Sequence, residues 1–298
     1  MELFKYEKWV GGRSNHFTKK MEIKSTSKIN IGLHVHNRRS DGFHNISTLF
    51  QEINLCDTVE IIEDKVFSCI TDCGTIIEKN NFGTKAFNVI KAKYPKIPNV
   101  RISIKKIIPT KAGLGGGSSN GTAVIVGLND LFKLKLSNKE LSEMASKVSS
   151  DSAFFVNGGM QFGTSRGERL DIIKNIQIPK HILLVHPVIK ISTKEAFNHL
   201  KNHLLNEDMD INLSKLLREL NNYTFDSKLF KNDFEMYVFK THPEIGAIKL
   251  KILDFGAKYA SLSGTGSTVF GIFSSKKDLL KAQSFFSPQY STYYVNPT

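Results

Sequence analysis

The sequence predicts an α+β protein of two domains. Three observations carry that reading: strict alternation of apolar and polar residues from Ser27, a box-capped amphipathic helix from Ser137, and a fresh series of strands and helices after residue 180. At 298 residues the chain is long enough for two cores that need neither disulfide nor metal. Residues 1–20 show neither period and read as a loose extension ahead of Met21. Ile29, Ile31, Leu33 and Val35 then alternate with Lys28, Asn30, Gly32, His34 and His36, a strand with one polar face. The Ser-Asp-Gly content of 37–42 marks a turn, and extended segments follow around 46–55 and 58–62. A helix is expected over 82–93 and a strand over 101–108, which Pro109 closes.

After a glycine-rich loop comes a second helix. The next begins at Ser137, with Glu140 three residues on and Leu141, Met144, Ala145 and Val148 on one face. Ser149, Ser150 and Asp151 break the pattern before the apolar run 153–156 and the Gly158-Gly159 turn. Further on, the pattern predicts a strand over 181–186, a helix near 193–205 and helical patches through 211–240. A helix opened by Pro243 turns Ile245, Ile248, Ile252 and Phe255 inward and leads to strands over 258–262 and 268–273, with a last helix and strand after them. The boundary falls near 172–180, dividing an N-terminal domain of 21–178 from a C-terminal domain of 179–298.

Composition removes several classes of function. With 40% hydrophobic and 23% charged residues the chain is neither disordered nor fibrous. No run approaches the 18 apolar residues of a spanning helix and no secretory leader opens the chain, so a cytoplasmic protein without a membrane partner is expected. Cys56, Cys69 and Cys73 are an odd set with no zinc-site spacing, so plain thiols and no protein-held metal are expected. The formal charge of +13 admits nucleic acid, an anionic surface or a polyphosphate substrate. The lysines are scattered and form no basic stripe with interleaved aromatics, so a small molecule is favoured over nucleic acid.

The strongest local signal is the run Pro109, Thr110, Lys111, Ala112, Gly113, Leu114, Gly115, Gly116, Gly117, Ser118, Ser119, set between a strand and a helix. Glycines bare the backbone amides, and the helix that follows turns its positive end toward them, a cradle for phosphate. It is not a Walker loop, since no Lys-Ser/Thr follows the glycines, and Ser118 stands where a dinucleotide fingerprint needs its third glycine. The plain alternative is a turn that lets a helix pack on a strand.

This loop resembles the phosphate loop of the GHMP small-molecule kinases. The segments K28-I-N-I-G-L, R39-S-D-G-F-H44, G113-L-G-G-G-S-S119, S150-D-S-A-F-F155 and L262-S-G-T-G-S267 occur in the order and approximate spacing of the branch that acts on a cytidine-diphosphate-linked methylerythritol. The resemblance implies a ribosomal S5 domain 2-like N-terminal domain, a ferredoxin-like C-terminal domain, and ATP with Mg²⁺ as cofactors. The expected reaction is transfer of the γ-phosphoryl of ATP to the substrate's 2-hydroxyl. By the same resemblance, Lys28 and Asp151 are the catalytic pair. A lysine close to the aspartate would keep it ionised and make Asp151 the candidate base. Asn30, on the same strand face as Lys28, is placed to hold the substrate hydroxyl or phosphate. Phe43 and Phe197 stack on the cytosine while His44 bonds its edge. Gly264, Thr265 and Gly266 lie near the substrate diphosphate.

The chain departs from the family pattern at several places. Phe43 replaces a tyrosine, Ser149-Ser150 stands where Gly-Ala is usual before Asp151, Asn120-Gly121 replaces a helix-favouring pair, and Arg166 adds a cation where the family segment is uncharged or acidic. A slower enzyme is expected. His199 and His203, four apart, lack the glutamate of a zinc-protease motif and are read as surface histidines. The rival readings are a homoserine or mevalonate type of kinase, a basic nucleic-acid-binding protein on a related fold, and a non-catalytic paralogue.

Overall fold

The computed structural model describes residues 4–5, 19–74, 78–176, 178–200, 212–226 and 228–298. The chain forms two compact units, each discontinuous in sequence. The first comprises Met1–Ser27, Leu55–Ile108 and Gly115–Asn157, and the second Lys28–Asn54, Pro109–Leu114 and Gly158–Thr298.

The strands of the first half are β1 (Phe4–Lys5), β2 (Lys20–Arg38), β3 (His44–Asp64), β4 (Ser68–Thr71) and β5 (Asn99–Lys105), in the order β1-β2-β3-β5-β4. In the first unit β3 pairs antiparallel with β5 from Thr58↔Lys105 to Asp64↔Asn99. The helices α1 (Phe82–Lys93), α2 (Gly116–Leu131), α3 (Asn138–Ser146) and α4 (Phe154–Asn157) complete this unit. Ala86, Phe87 and Ile90 of α1, Val124, Ile125 and Leu128 of α2, and Leu141, Met144 and Ala145 of α3 share one core with Val59, Ile61, Val100 and Ile102 of the sheet. Burying each large apolar side chain contributes about 1.5–3 kcal/mol. Gly127 lets α2 lie flush on the sheet, since a Cβ there would come within 2.6 Å of Ile61 Cδ1. The capping box at α3 forms: Ser137 Oγ accepts from the Glu140 amide, and the Glu140 carboxylate accepts from the Ser137 amide.

In the second unit β6 (Met160–Thr164) pairs with β3 from Thr48↔Gly163 to Gln51↔Met160, and β7 (Arg169–Ile172) pairs with β6. A second, antiparallel sheet has the order β11-β8-β10-β9, from β8 (His181–His186), β9 (Tyr259–Leu262), β10 (Val269–Phe273) and β11 (Ser291–Val295). The helices α5 (Thr193–Leu200), α6 (Leu213–Asn221), α7 (Glu235–Thr241), α8 (Pro243–Asp254) and α9 (Lys276–Phe286) belong to this unit. Ile245, Ile248 and Ile252 of α8 and Leu279, Ala282 and Phe286 of α9 pack with Leu183, Val185, Leu262 and Val269. Phe255, expected inward, is only partly buried and follows the end of α8. The part of the helix near 193–205 that lies beyond Leu200 is outside the described residues. Among the described residues no helix is long and apolar enough to cross a membrane.

Residues 4–5 of the expected loose extension instead pair with β2, Phe4 opposite Ile23, and two further boundaries differ from the sequence reading for one reason. The break expected between 55 and 58 does not occur, and the strand expected to reach 108 stops at Lys105. Asp57 is fully buried, with 0% exposure, and its carboxylate accepts from the amides of Ile107 (2.7 Å) and Ile108 (2.8 Å) and from Lys106 Nζ. The Lys106 amide goes to Asp72 Oδ1 at 2.9 Å. Three successive amides thus leave the ladder for carboxylates, which ends β5, while the satisfied Asp57 lets β3 run through. Asp57→Asn strands the buried Lys106 ammonium and is expected to cost about 3–5 kcal/mol, read as a lower urea midpoint at unchanged slope.

Candidate active site

The polar face of β2 carries the first group of site residues. Lys28 is 3% and Asn30 1% exposed, a burial that a lysine tolerates only with partners for its charge. Its ammonium donates to Asn30 Oδ1 and sits 5.4 Å from the centre of the Phe50 ring. Asn30 Nδ2 donates to Thr48 Oγ1 at 3.0 Å, and that hydroxyl donates to the Gly32 carbonyl at 2.6 Å. The amide of Lys28 donates to the carbonyl of Leu114 at 3.0 Å, which joins this strand to the glycine loop.

The loop in turn meets the turn after β9. Thr268 N donates to Ala112 O at 3.3 Å and Ser263 Oγ to Gly113 O at 3.0 Å. Gly113 has φ +78°, and a Cβ on it would collide with the Ser263 carbonyl oxygen, so only glycine fits. A Cβ on Gly264 would lie 3.5 Å from Asn30 Oδ1. Asn232 Nδ2 holds this turn by donating to the carbonyls of Leu262 and Gly264, both at 2.8 Å. Lys28, Asn30, Ala112–Leu114 and Gly264, remote in sequence, therefore come together within the second unit. Thr265 Oγ1 lies 3.2 Å from Thr193 Oγ1, and Lys111 is held at φ +56° on the exposed side of the loop.

In the first unit, Gly115 caps α2 at φ +70° with no side-chain hydrogen bond, as is also the case at α7 and α8, whereas Asn81, Ser137, Asn212 and Ser275 cap α1, α3, α6 and α9. The first-turn amides of this 16-residue helix have no side-chain cap, which fits a phosphate. The glycines also serve packing: a Cβ on Gly116 would come within 2.8 Å of Ile108 Cγ2, and one on Gly117 within 2.8 Å of Phe82 Cδ2. Asp151 lies half-buried in the turn between α3 and α4. Its neighbours fasten that turn to α2: Ser149 Oγ donates to Ser118 Oγ (2.8 Å), Ser152 Oγ to Ser118 O (3.2 Å), and Thr122 Oγ1 to Ser152 O (2.7 Å). Ser149, a departure from the family pattern, thereby has a structural role. Ser25 Oγ donates to Asn120 Oδ1 (2.8 Å) and lies 2.7 Å from Ser119 Oγ, which can donate to it, a contact invisible in the sequence. Among the described residues no three His, Cys, Asp or Glu side chains gather to hold a metal ion.

The aromatic group lies at the β2–β3 turn. Phe43 is 53% exposed, and its turn is built by Arg39 N to Phe43 O (2.7 Å) and Phe43 N to Asp41 Oδ1 (3.1 Å). The Phe43 amide, followed by the Arg39 guanidinium, holds the Asp41 carboxyl below its ordinary pKa. His44 is buried and stacks on Phe197 with ring centres 5.3 Å apart, and Phe197 meets Phe234 edge-on at 4.8 Å. Phe43 lies instead against Arg166, whose guanidinium is 5.1 Å from the ring centre. His199 packs against Tyr237 at 4.6 Å, and His203 lies outside the described residues.

Sequence models described as "GHMP kinases N terminal domain" and "GHMP kinases C terminal" match residues 81–160 and 207–291. A protein of Syntrophomonas wolfei named 4-diphosphocytidyl-2-C-methyl-D-erythritol kinase is 34% identical over 275 residues, 92% of this chain and 96% of that one. One of the same name from Cytophaga hutchinsonii is 38% identical over 256 residues, 85% of this chain and 92% of that one. The chain belongs to the 4-diphosphocytidyl-2-C-methyl-D-erythritol kinase family of GHMP kinases. A crystal structure of 4-(cytidine 5'-diphospho)-2C-methyl-D-erythritol kinase shares the fold, with a TM-score of 0.79 at 24% identity over 93% of this chain and 99% of that one. The two-domain GHMP architecture expected from the sequence is the one found.

Two buried histidines give this kinase a pH dependence. Burial lowers the pKa of His34, opposed by the Leu229 carbonyl 2.9 Å from its Nε2, and burial also lowers that of His186, whose Nδ1 is 3.3 Å from Thr268 Oγ1. Below the unfolded value of 6.5 the unfolded chain takes up protons that the folded chain refuses. Stability is therefore expected to be full above pH 6.5 and to fall as the pH drops below it, and urea midpoints from pH 8 to pH 5 check this. His34→Gln is expected to flatten the acid limb. Gly113→Ala, which sets a methyl against the Ser263 carbonyl at positive φ, is expected to cost several kcal/mol or prevent folding, whereas Gly74→Ala, with open space around its Cβ, is expected to cost about 1 kcal/mol.

Proposed function

We propose that this kinase transfers the γ-phosphoryl group of ATP to the 2-hydroxyl of 4-diphosphocytidyl-2-C-methyl-D-erythritol, a step of non-mevalonate isoprenoid synthesis. The observation that carries the chemistry is the buried Lys28–Asn30 pair on a strand hydrogen-bonded to the glycine loop at Leu114. In this reading Pro109, Lys111, Ala112, Gly113, Leu114 and Gly115–Ser119 line the nucleotide phosphates, gripped by the uncapped amides and the positive end of α2. Mg²⁺ bound to those phosphates supplies further positive charge.

Asp151 takes the proton of the 2-hydroxyl as that oxygen bonds to the γ-phosphorus and the bond from γ-phosphorus to the β–γ bridging oxygen breaks, leaving ADP. The Lys28 ammonium, fixed by Asn30 and the Phe50 ring, offsets the negative charge that develops. Phe43 is the platform for cytosine, His44 and Phe197 complete the base site, and Gly264, Thr265 and Gly266 approach the substrate diphosphate. The stack of His44 on Phe197 and the exposure of Phe43 support this assignment. A cytoplasmic enzyme with a small-molecule partner is the setting it expects.

A coupled ADP-release assay with the cytidylyl substrate beside mevalonate and homoserine tests the reading. Turnover with the first alone, inhibited by CDP, is expected, and faster turnover of mevalonate or homoserine would overturn it. Asp151→Asn and Lys28→Met are expected to unfold at the wild-type urea midpoint or above it and to lose about 10²–10⁴-fold in kcat, and full turnover in Asp151→Asn would remove that residue as the base.

A further inference from the structure

The turn between β6 and β7 bears a cation that the reading above leaves unused. Ser165 and Gly167 flank Arg166 with φ of +61° and +99°, which bends the chain so that the guanidinium faces the ring of Phe43 at 5.1 Å. The two turns are fastened to each other: Ile46 N donates to Ser165 O at 2.6 Å, and Arg39 Nη1 donates to Ser165 Oγ at 2.8 Å and Asn45 Oδ1 at 3.1 Å. Glu168 orients Arg166 from behind, accepting its backbone amide at 2.7 Å and lying 3.6 Å from Nε as an ion-pair partner. Nε itself is buried and makes no hydrogen bond among the described residues. The Arg166 side chain retains 31% exposure, so the rest of the fork remains within reach of a ligand that lies on Phe43.

A planar guanidinium on one side of an aromatic ring leaves the other side for a base, and its remaining donors suit phosphate oxygens. Phe43 has no hydroxyl of its own, so a polar contact at this platform has to come from a neighbour. We propose that Arg166 is a specificity-determining residue of this kinase, which backs the Phe43 platform and donates to the cytidine diphosphate portion of the substrate. The proposal rests on the assignment of Phe43 to the base. Lysine in its place keeps the charge and loses both the flat stack and the fork.

Calorimetric titration of the full chain with cytidine, CDP and a non-hydrolysable ATP analogue tests it, on wild type, Arg166→Ala, Arg166→Lys and Phe43→Ala. Arg166→Ala is expected to weaken CDP about tenfold and cytidine less, to leave the ATP analogue unaltered, and to raise KM for the cytidylyl substrate in step with CDP. Arg166→Lys, the milder change should alanine unfold the turn, is expected to recover only part of the CDP affinity. CDP binding within twofold of wild type in both Arg166 variants, with Phe43→Ala impaired, would overturn the role of Arg166 and leave the base platform standing. Undiminished CDP binding in Phe43→Ala would instead overturn the platform itself. A variant that melts early yet binds CDP as wild type does counts against the proposal, because a purely structural arginine behaves that way.

Discussion

One backbone crossing orders the second unit's share of the site. At Gly113 the loop passes so close beneath the Ser263 carbonyl that a side chain is excluded. Ser263 Oγ, the Thr268 amide and the Lys28 amide then tie residues 112–114 to the β9–β10 turn and to β2. Each such bond contributes only about 1 kcal/mol net, but a buried amide left without its acceptor costs about 1–3 kcal/mol, so the three enforce one path for the loop. Asn30 and Gly264 meet beside this crossing, and Lys28 reaches its amide partner there without a detour.

The glycines of the loop therefore answer two demands that sequence alone does not separate. Those at 113, 116 and 117 are required by neighbours that already fill the place of a Cβ, namely Ser263, Ile108 and Phe82. At 115 the demand is conformational, a left-handed residue that starts α2 without a capping side chain. Packing brings the helix close, and the absence of a cap leaves its amides for a phosphate. The packing reading of this run is met by those neighbours, and the anion cradle is part of the proposed nucleotide site.

The periodic elements were legible: α1 spans the expected 82–93, β8 the expected 181–186, and the box at Ser137 forms as written. The exceptions share a cause. The gap left between the segments around 46–55 and 58–62 holds Asp57, whose partners are amides 50 and 51 residues away and so leave no local signal. Within the site, the motif residues on β2 and in the loop were legible through the family resemblance, whereas Thr48, Ser25 and Asn232 were not. Each is a buried polar residue whose importance lies only in what it reaches across the fold. Phe43 and Phe197 were recognisable as a pair of aromatics, but which ring faces which neighbour depends on how the β6–β7 turn docks. That docking puts Arg166, a departure in the sequence, against Phe43, and leaves His44 to stack on Phe197.

Hydrogen–deuterium exchange of the full chain, with and without a non-hydrolysable ATP analogue and Mg²⁺, tests the loop most directly. Slowed exchange concentrated in residues 109–120, with the strand at Lys28 slowed beside it and β9–β11 unaltered, is the result expected of amides that grip a phosphate tail. Unaltered exchange across 109–120 at saturating analogue would contradict it, because bound nucleotide would then be held elsewhere.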